Sequence, residues 1–182
     1  MKTESTSITR KPSPDTLAAA LARLDVPFVM SNARGSGAYF ANHPTTLLAS
    51  LVAQADARLR LSIIPLLLRH PQFAALVPRA VRKVSPRRRK ILKIYYTAAM
   101  LLQSKYAAPL GRLFGYSSPL PDLYSRELGI PQEGDAEMRL QALARKHSVT
   151  SALALNWIGT YEHAAKRFLK HAQKECEWAQ FN

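Results

Sequence analysis

The sequence predicts a mainly α fold, a compact multi-helix domain that allows one short β-hairpin near residues 27–40. Leucine and alanine recur at helical spacing in one segment after another from Thr45 onward. Prolines stand between many of these segments, where they begin, kink or end helices. The length of 182 residues suits a single domain. Residues 1–12 are rich in Ser, Thr and Lys and are predicted to be a flexible tail, so the helical domain covers 13–182.

The N-terminal part combines one helix with the candidate hairpin. Ser13 is placed to cap a helix that begins at Pro14 and ends near residue 24. The apolar run at 27–30 is typical of a strand, and the glycine-containing segment 32–37 is typical of a turn. Residues 38–40 are then predicted to return as the second strand.

Eight further helical segments follow, and Pro65 and Pro78 are expected to split or disturb the first two after residue 56. The longest begins at Ser85 and Pro86 and is apolar on nearly every side after its first turns, which predicts a buried central helix. Residues 115–133 are mostly loop because they hold three prolines and two glycines. The predicted segments are 44–54, 57–70, 73–81, 85–108, 123–128, 135–146, 150–157 and 159–178.

Positive charge is concentrated in the middle of the chain. The formal net charge is +14, from 26 Lys and Arg against 12 Asp and Glu. Residues 57–121 hold 13 of the basic side chains and no Asp or Glu, whereas residues 122–182 carry eight side chains of each sign. Such a stretch repels itself unless an anion or an acidic partner compensates it. The pattern therefore favours nucleic acid or an acidic protein as the partner over a merely solvated basic face.

The densest cations surround the segment SPRRRK at 85–90, at the start of the long helix. Cations there oppose the helix dipole, whereas the backbone N–H groups and the arginine side chains both favour phosphate. We therefore predict a docking site for phosphate or acidic side chains; the alternative is that neighbouring helix C-termini compensate the charge. Tyr95 and Tyr96 follow, with a spacing more typical of core residues than of base stacking. The predicted contact residues are Arg79, Arg82, Lys83, Arg87, Arg88, Arg89, Lys90 and Lys93.

No catalytic or cofactor-binding constellation is recognisable. The five histidines lack metal-ligand spacing, and cations are interleaved between His163 and His171. No carboxylate between residues 57 and 121 can hold magnesium, which argues against nucleotidyl transfer. The single cysteine, Cys176, has no base beside it and excludes an intramolecular disulfide. We therefore expect a protein that is not an enzyme and binds neither metal nor cofactor.

The chain is predicted to be cytoplasmic. Its first residues lack the apolar core of a secretory signal, and its longest apolar runs, about a dozen residues, are too short to cross a bilayer. A single cysteine in 182 residues is typical of a reducing compartment.

The last helix carries a narrow apolar stripe that includes Tyr161, Ala165, Phe168 and Ala172. These residues recur three or four positions apart, so they share one face of the helix. Its small residues suit close packing against one other helix. That helix belongs either to the core of this chain or to a protein partner, and the sequence leaves both alternatives open.

Two segments, LKIYYTAA at 92–99 and LALNWIGTYEHA at 153–164, are similar to small bacterial helical proteins encoded beside minimal nucleotidyltransferases. The resemblance covers about residues 45–170. It implies an accessory or toxin–antitoxin-type role with a nucleotidyltransferase as partner, and it implies no catalytic residues.

Two functional hypotheses follow from the sequence. The first is a non-enzymatic protein that binds DNA or RNA through phosphate contacts. The second is a protein–protein interaction module whose basic face meets an acidic partner such as a nucleotidyltransferase.

Overall fold

The computed structural model describes residues 12–27, 37–115 and 118–180. Over these residues the chain is helical, with eleven α-helices, one 3-10 helix and no strand, which confirms the mainly α prediction. In chain order, α1 to α5 are Pro14–Arg23, Ala38–Asn42, Pro44–Val52, Ala57–Leu61 and Ile63–Arg69. The 3-10 helix is Pro71–Leu76, and α6 to α11 are Val77–Arg82, Pro86–Lys105, Ala107–Phe114, Ser125–Leu128, Ala136–Ser151 and Trp157–Gln180.

The hairpin prediction is wrong at its second strand. Residues 38–42 form helix α2, while all but the first residue of the predicted strand 27–30 and all but the last residue of the predicted turn 32–37 lie outside the described residues. Helix α2 packs against α1. The backbones approach so closely that a Cβ on Gly37 would lie 2.3 Å from the Ala20 backbone nitrogen. The glycine that indicated a turn therefore lets two helices meet.

Local sequence rules account for one helix start that was predicted and for one predicted split. The Ser13 hydroxyl accepts a hydrogen bond from the Thr16 N–H at 3.1 Å and caps α1. The segment predicted at 57–70 is divided into α4 and α5 at Ser62. Pro65 has no N–H to donate to the Leu61 carbonyl four residues earlier, so α4 ends at that residue.

Helix α7 is the central element of the fold. It packs against α3, α5, α6, α8, α9, α10 and α11, and its residues from Ile94 to Gln103 are buried throughout. Tyr95 and Tyr96 are core residues, 2% and 0% exposed, and the Tyr96 hydroxyl donates to the Pro121 carbonyl at 2.7 Å. The buried central helix predicted from the sequence is therefore present, although it ends at Lys105 and not near residue 108.

The C-terminal helices differ from the predicted boundaries. Helix α10 continues to Ser151 and carries no proline that would end it earlier; the hydroxyls of Thr150 and Ser151 donate to carbonyls four residues before them. The separate helix predicted at 150–157 does not form. The Asn156 side chain accepts from the Gly159 N–H at 2.9 Å, as an N-cap does, so α11 begins at Trp157. At 24 residues, α11 is longer than α7, which has 20.

The apolar stripe of α11 packs within the chain. Tyr161, Ala165, Phe168 and Ala172 are 0%, 0%, 4% and 5% exposed, and α11 contacts α5, α7, α8 and α10. The Phe168 ring stacks on the Phe114 ring of α8 with centroids 5.5 Å apart. These four side chains are therefore core residues of this chain and offer no exposed surface to a protein partner.

Ion pairs connect the later part of α7 to the C-terminal helices. The Lys105 ammonium donates to Glu137 of α10 and to Glu162 of α11, and these hydrogen bonds raise the pKa of Lys105. The Lys93 ammonium donates to Glu127 of α9 at 2.5 Å. Carboxylates from the C-terminal third thus compensate two cations of the acid-free middle stretch.

Among the described residues, no single helix combines the length and apolar composition needed to cross a membrane. The consecutive helices Ala57–Arg69 and Pro71–Arg82, bent by 119° where they meet, satisfy those two criteria only when they are taken as a pair.

Candidate nucleic-acid interface

Seven of the eight predicted phosphate contacts are exposed at one corner of the fold. Helix α6 packs against α7 there, and the connection between them joins the two sets of cations. Within the described ranges, the structure records no ion pair between these seven side chains and a carboxylate. We call this surface the basic corner; it consists of Arg79, Arg82, Lys83, Arg87, Arg88, Arg89 and Lys90.

The N-terminus of α7 lies at the centre of the basic corner and carries no side-chain cap. Ser85 has the extended conformation of an N-cap residue, with φ −62° and ψ 155°, but its side chain makes no capping hydrogen bond. The first backbone bond of the helix runs from the Arg89 N–H to the Ser85 carbonyl at 2.9 Å. The N–H groups of Arg87 and Arg88 therefore have no acceptor among the described residues. They can donate to an anion, and the helix dipole favours one.

Two of the predicted contacts are engaged within the protein. The Arg89 Nε donates to the Val84 carbonyl at 2.9 Å, which holds this side chain back along the connection. Lys93 differs from the other seven because it pairs with Glu127, and its ammonium lies 5.2 Å from the centre of the Tyr124 ring. The sequence showed no opposite charge near Lys93 because Glu127 is 34 positions away along the chain.

A cavity of about 450 Å³ opens beside the basic corner, where Arg87 and Arg88 meet Arg60. We call it the arginine cavity. Its walls also include Ile91 and Tyr95 of α7, His147 of α10 and Trp157 of α11. No Asp or Glu is among the described residues that line it. Three arginines therefore line one cavity that has no carboxylate among its described lining residues.

Arg60 is held in position by backbone carbonyls. Its Nη1 donates to the carbonyls of Gln54 and Ala55 at 2.7 and 2.6 Å. Burial raises the pKa of Tyr95, and the Arg60 charge beside that hydroxyl acts in the opposite direction. The guanidinium is thus fixed at the wall of the cavity and influences the polar groups around it.

His147 forms a neutral polar part of the wall. It is 1% exposed, and its Nδ1 lies 2.7 Å from the Tyr161 hydroxyl. Burial, with a contribution from the Arg60 charge, lowers its pKa to about 4, so the imidazole is uncharged at pH 7. The hydrogen bond to the Tyr161 hydroxyl holds the ring in place at the wall of the cavity.

The sequence pattern does not single out Arg60 or His147. Arg60 belongs to the acid-free stretch but precedes Arg87 by 27 positions, and only the packing of α3, α4 and α7 brings the two to one cavity. His147 belongs to no recognisable motif. The absence of carboxylates from residues 57–121 was the one available signal, because it applies to Arg60 as well as to the dense cluster.

The described residues contain no group of three or more His, Cys, Asp or Glu side chains that could hold a metal ion. No protein-family model, curated protein or solved structure matches the chain. The similarity to small helical proteins encoded beside nucleotidyltransferases therefore stays a prediction.

Proposed function

We propose that this protein is a non-enzymatic nucleic-acid-binding protein that holds the phosphate backbone of DNA or RNA at the basic corner. The observation that carries the proposal is seven exposed cations, without carboxylate partners among the described residues, around the uncapped N-terminus of a 20-residue helix. Guanidinium groups and backbone N–H groups both donate to phosphate oxygens. Such contacts position a nucleic acid without reading its bases, so we expect binding that is independent of sequence.

The scaffold supports this function because four of the seven cations, residues 87–90, lie on the first turns of α7. The later turns of that helix are buried in the core. The backbone of these four residues is therefore fixed before a ligand arrives, which reduces the entropy lost on binding.

A salt titration tests the proposal directly. Fluorescence anisotropy with labelled duplex and single-stranded oligonucleotides should show affinity that falls steeply with salt. On duplex DNA the log–log slope is about −0.9 per neutralised phosphate, so five engaged cations predict a slope near −4.5. A slope near zero, or no binding at about 50 mM salt, would contradict the proposal.

A matched pair of variants localises the interaction. The change Arg79→Gln, Lys83→Gln, Lys90→Gln removes three cations from the basic corner and should reduce the duplex slope by about 2–3 units. The control removes three exposed cations of α10 and α11, by Arg145→Gln, Lys170→Gln and Lys174→Gln. The control should leave the slope nearly unchanged, and an equal effect of both variants would mean that binding is not located at the corner.

A second proposal is an accessory protein whose basic corner meets an acidic partner such as a nucleotidyltransferase. The observation in its favour is a group of exposed apolar residues beside the arginine cavity: Val149, Leu153 and Leu155 are 83%, 50% and 53% exposed, and Leu153 also lines the cavity. Mixed apolar and charged surface is typical of protein interfaces. Co-elution with the purified product of an adjacent gene, lost on Leu153→Asp with Leu155→Asp, would support this alternative.

A further inference from the structure

The arginine cavity differs from the rest of the basic corner in being concave, although it is open to solvent on one side. Arg60, Arg87 and Arg88 approach it from two helices, and no carboxylate lines it in the described part of the chain. Three like charges around one space repel one another and favour an anion between them. The uncapped start of α7 adds the N–H groups of Arg87 and Arg88 on the same side.

A buried aromatic residue completes the wall behind these arginines. His147 is 1% exposed and lines the cavity, and its Nδ1 lies 2.7 Å from the Tyr161 hydroxyl. This contact holds the ring in place, so the wall opposite the arginines is fixed before a ligand arrives.

The size and lining of the cavity indicate what kind of molecule would bear the anionic group. Its volume of about 450 Å³ lies within the range of about 300–1,000 Å³ that is usual for small-molecule sites. A phosphate group alone would leave most of this space empty. Ile91 and Leu153 provide apolar surface on the same cavity, which suits the sugar and base of a nucleoside.

We propose that the arginine cavity binds a terminal phosphate monoester of a nucleotide, with the phosphate against Arg87 and Arg88 and the nucleoside against Ile91 and Leu153. The nucleotide is either free or the phosphorylated end of a strand whose backbone lies on the basic corner. The inference rests on the proposed function, because the arginine cavity adjoins the basic corner. The cavity would give that surface a preference for the terminal phosphate of a nucleic acid.

The charge of the cavity favours a monoester over an internal phosphodiester. A terminal phosphate carries about −1.5 to −2 charges at pH 7 and presents three oxygens, whereas a diester carries one charge and presents two free oxygens. Three guanidinium groups and two N–H donors match the larger charge and oxygen count.

The test compares short single strands that differ in their terminal phosphate. Six-nucleotide strands are prepared with a phosphate at the 5′ end, at the 3′ end or at neither end. An unphosphorylated strand of eight nucleotides carries about the same charge as a phosphorylated six-nucleotide strand and controls for charge alone. We expect at least one phosphorylated strand to bind tenfold or more tightly than this control.

Two double variants with equal charge loss locate the preference. Arg87→Gln with Arg88→Gln removes two cavity cations and should abolish the preference for a terminal phosphate. Arg79→Gln with Lys83→Gln removes two cations of the basic corner that do not line the cavity, and it should weaken all strands by a similar factor while the preference persists. All four side chains are exposed, so both variants are expected to fold, which thermal melting verifies.

The outcomes separate failure of this inference from failure of the proposed function. If all strands bind with steep salt dependence but terminal phosphates bind no better than the charge control, the cavity assignment is overturned and the nucleic-acid function stands. A second outcome is that no strand binds but 5′- or 3′-AMP binds in preference to adenosine, and that Arg87→Gln with Arg88→Gln abolishes this preference. In that case the cavity binds free nucleotides and the nucleic-acid function fails. If neither strands nor AMP show a phosphate preference, the inference is wrong.

Discussion

The imidazole of His147 stacks on the indole of Trp157, with ring centroids 3.5 Å apart and planes inclined by 21°. The pair joins the end of α10 to the start of α11 beside the arginine cavity. Burial in this stack, together with the Arg60 charge, is what holds the pKa of His147 at about 4.

This arrangement predicts that the protein loses stability between pH 6.5 and pH 4. In that range the unfolded chain, with a histidine pKa near 6.5, takes up a proton that the folded chain does not, so the free energy of unfolding falls as the pH falls. The loss from His147 should reach about 2 kcal/mol at pH 5 and be absent above pH 7. Urea unfolding at pH 8 and pH 5 measures it. His147→Gln should reduce the difference, whereas His163→Gln, at an exposed position, should not.

Glu162 contributes little to the stability difference between pH 8 and pH 5. Hydrogen bonds from Lys105 and Lys166 lower the pKa of Glu162, so the stabilisation it provides is lost only below its ordinary value of about 4.5. An equal pH dependence in His147→Gln and the wild type would contradict the prediction. His70, whose pKa burial also lowers, would then be the group to test next.

Arginines that line the same cavity should differ in their effect on stability. Arg87→Ala with Arg88→Ala removes two cations from the N-terminus of α7, where the helix dipole disfavours positive charge. Each change should therefore be neutral or stabilise the protein by about 0.3 kcal/mol. Arg60→Met should instead cost about 1–3 kcal/mol, because it removes two hydrogen bonds to the carbonyls of Gln54 and Ala55. Thermal melting of the two variants tests this difference. A large loss of stability in the Arg87 and Arg88 variant would show that these side chains are structural.

Phe168 should be a major contributor to stability. Its side chain is 4% exposed and stacks on Phe114, so Phe168→Ala should cost about 3–5 kcal/mol. Val149→Ala, at a side chain that is 83% exposed on α10, is the control and should change stability by less than about 0.5 kcal/mol. Chemical denaturation compares the two. A Phe168→Ala variant as stable as the control would mean that α11 does not pack on α8 in this way.

Two glycine-to-alanine changes should have opposite signs. At Gly37 the new Cβ would lie 2.3 Å from the Ala20 nitrogen, and because both sides are backbone, α2 must move away from α1; a cost of about 1–3 kcal/mol or more is expected. At Gly111, within α8, no atom other than the adjoining residues and the nearby backbone of α8 itself lies within 4 Å of the new Cβ. Alanine there should stabilise the protein by about 0.5–1 kcal/mol. Melting temperatures that move in the same direction would contradict the described approach of α1 and α2.

The sequence predicted those parts of the fold that depend on local chemistry. The Ser13 cap follows from one side chain and the backbone beside it, and the break before Pro65 follows from a missing N–H. The burial of α7 was predictable because its apolar residues surround the helix. Each of these features is determined within one or two helical turns.

The features that the sequence did not predict depend on contacts between distant segments. Helix α2 forms where a returning strand was expected, and Gly37 there lies against α1, about 17 positions earlier. The Glu127 that pairs with Lys93 is 34 positions away. The site divides in the same way: the cations of the basic corner are contiguous in sequence and were predicted, whereas Arg60 and His147 reach the cavity only through tertiary packing.

The ion pairs of α7 make the distribution of net charge along this helix asymmetric. Glu127, Glu137 and Glu162 compensate Lys93 and Lys105 along the later turns of the helix, and no carboxylate of the described residues pairs with its first turn. The compensated end and the bare end are separated by about 27 Å along the helix axis. In the field of a polyanion this asymmetry produces a torque that turns the bare end forward before contact, within the screening distance of about 8 Å at physiological salt. Collisions would then be biased towards the orientation in which the first turn of α7 arrives first.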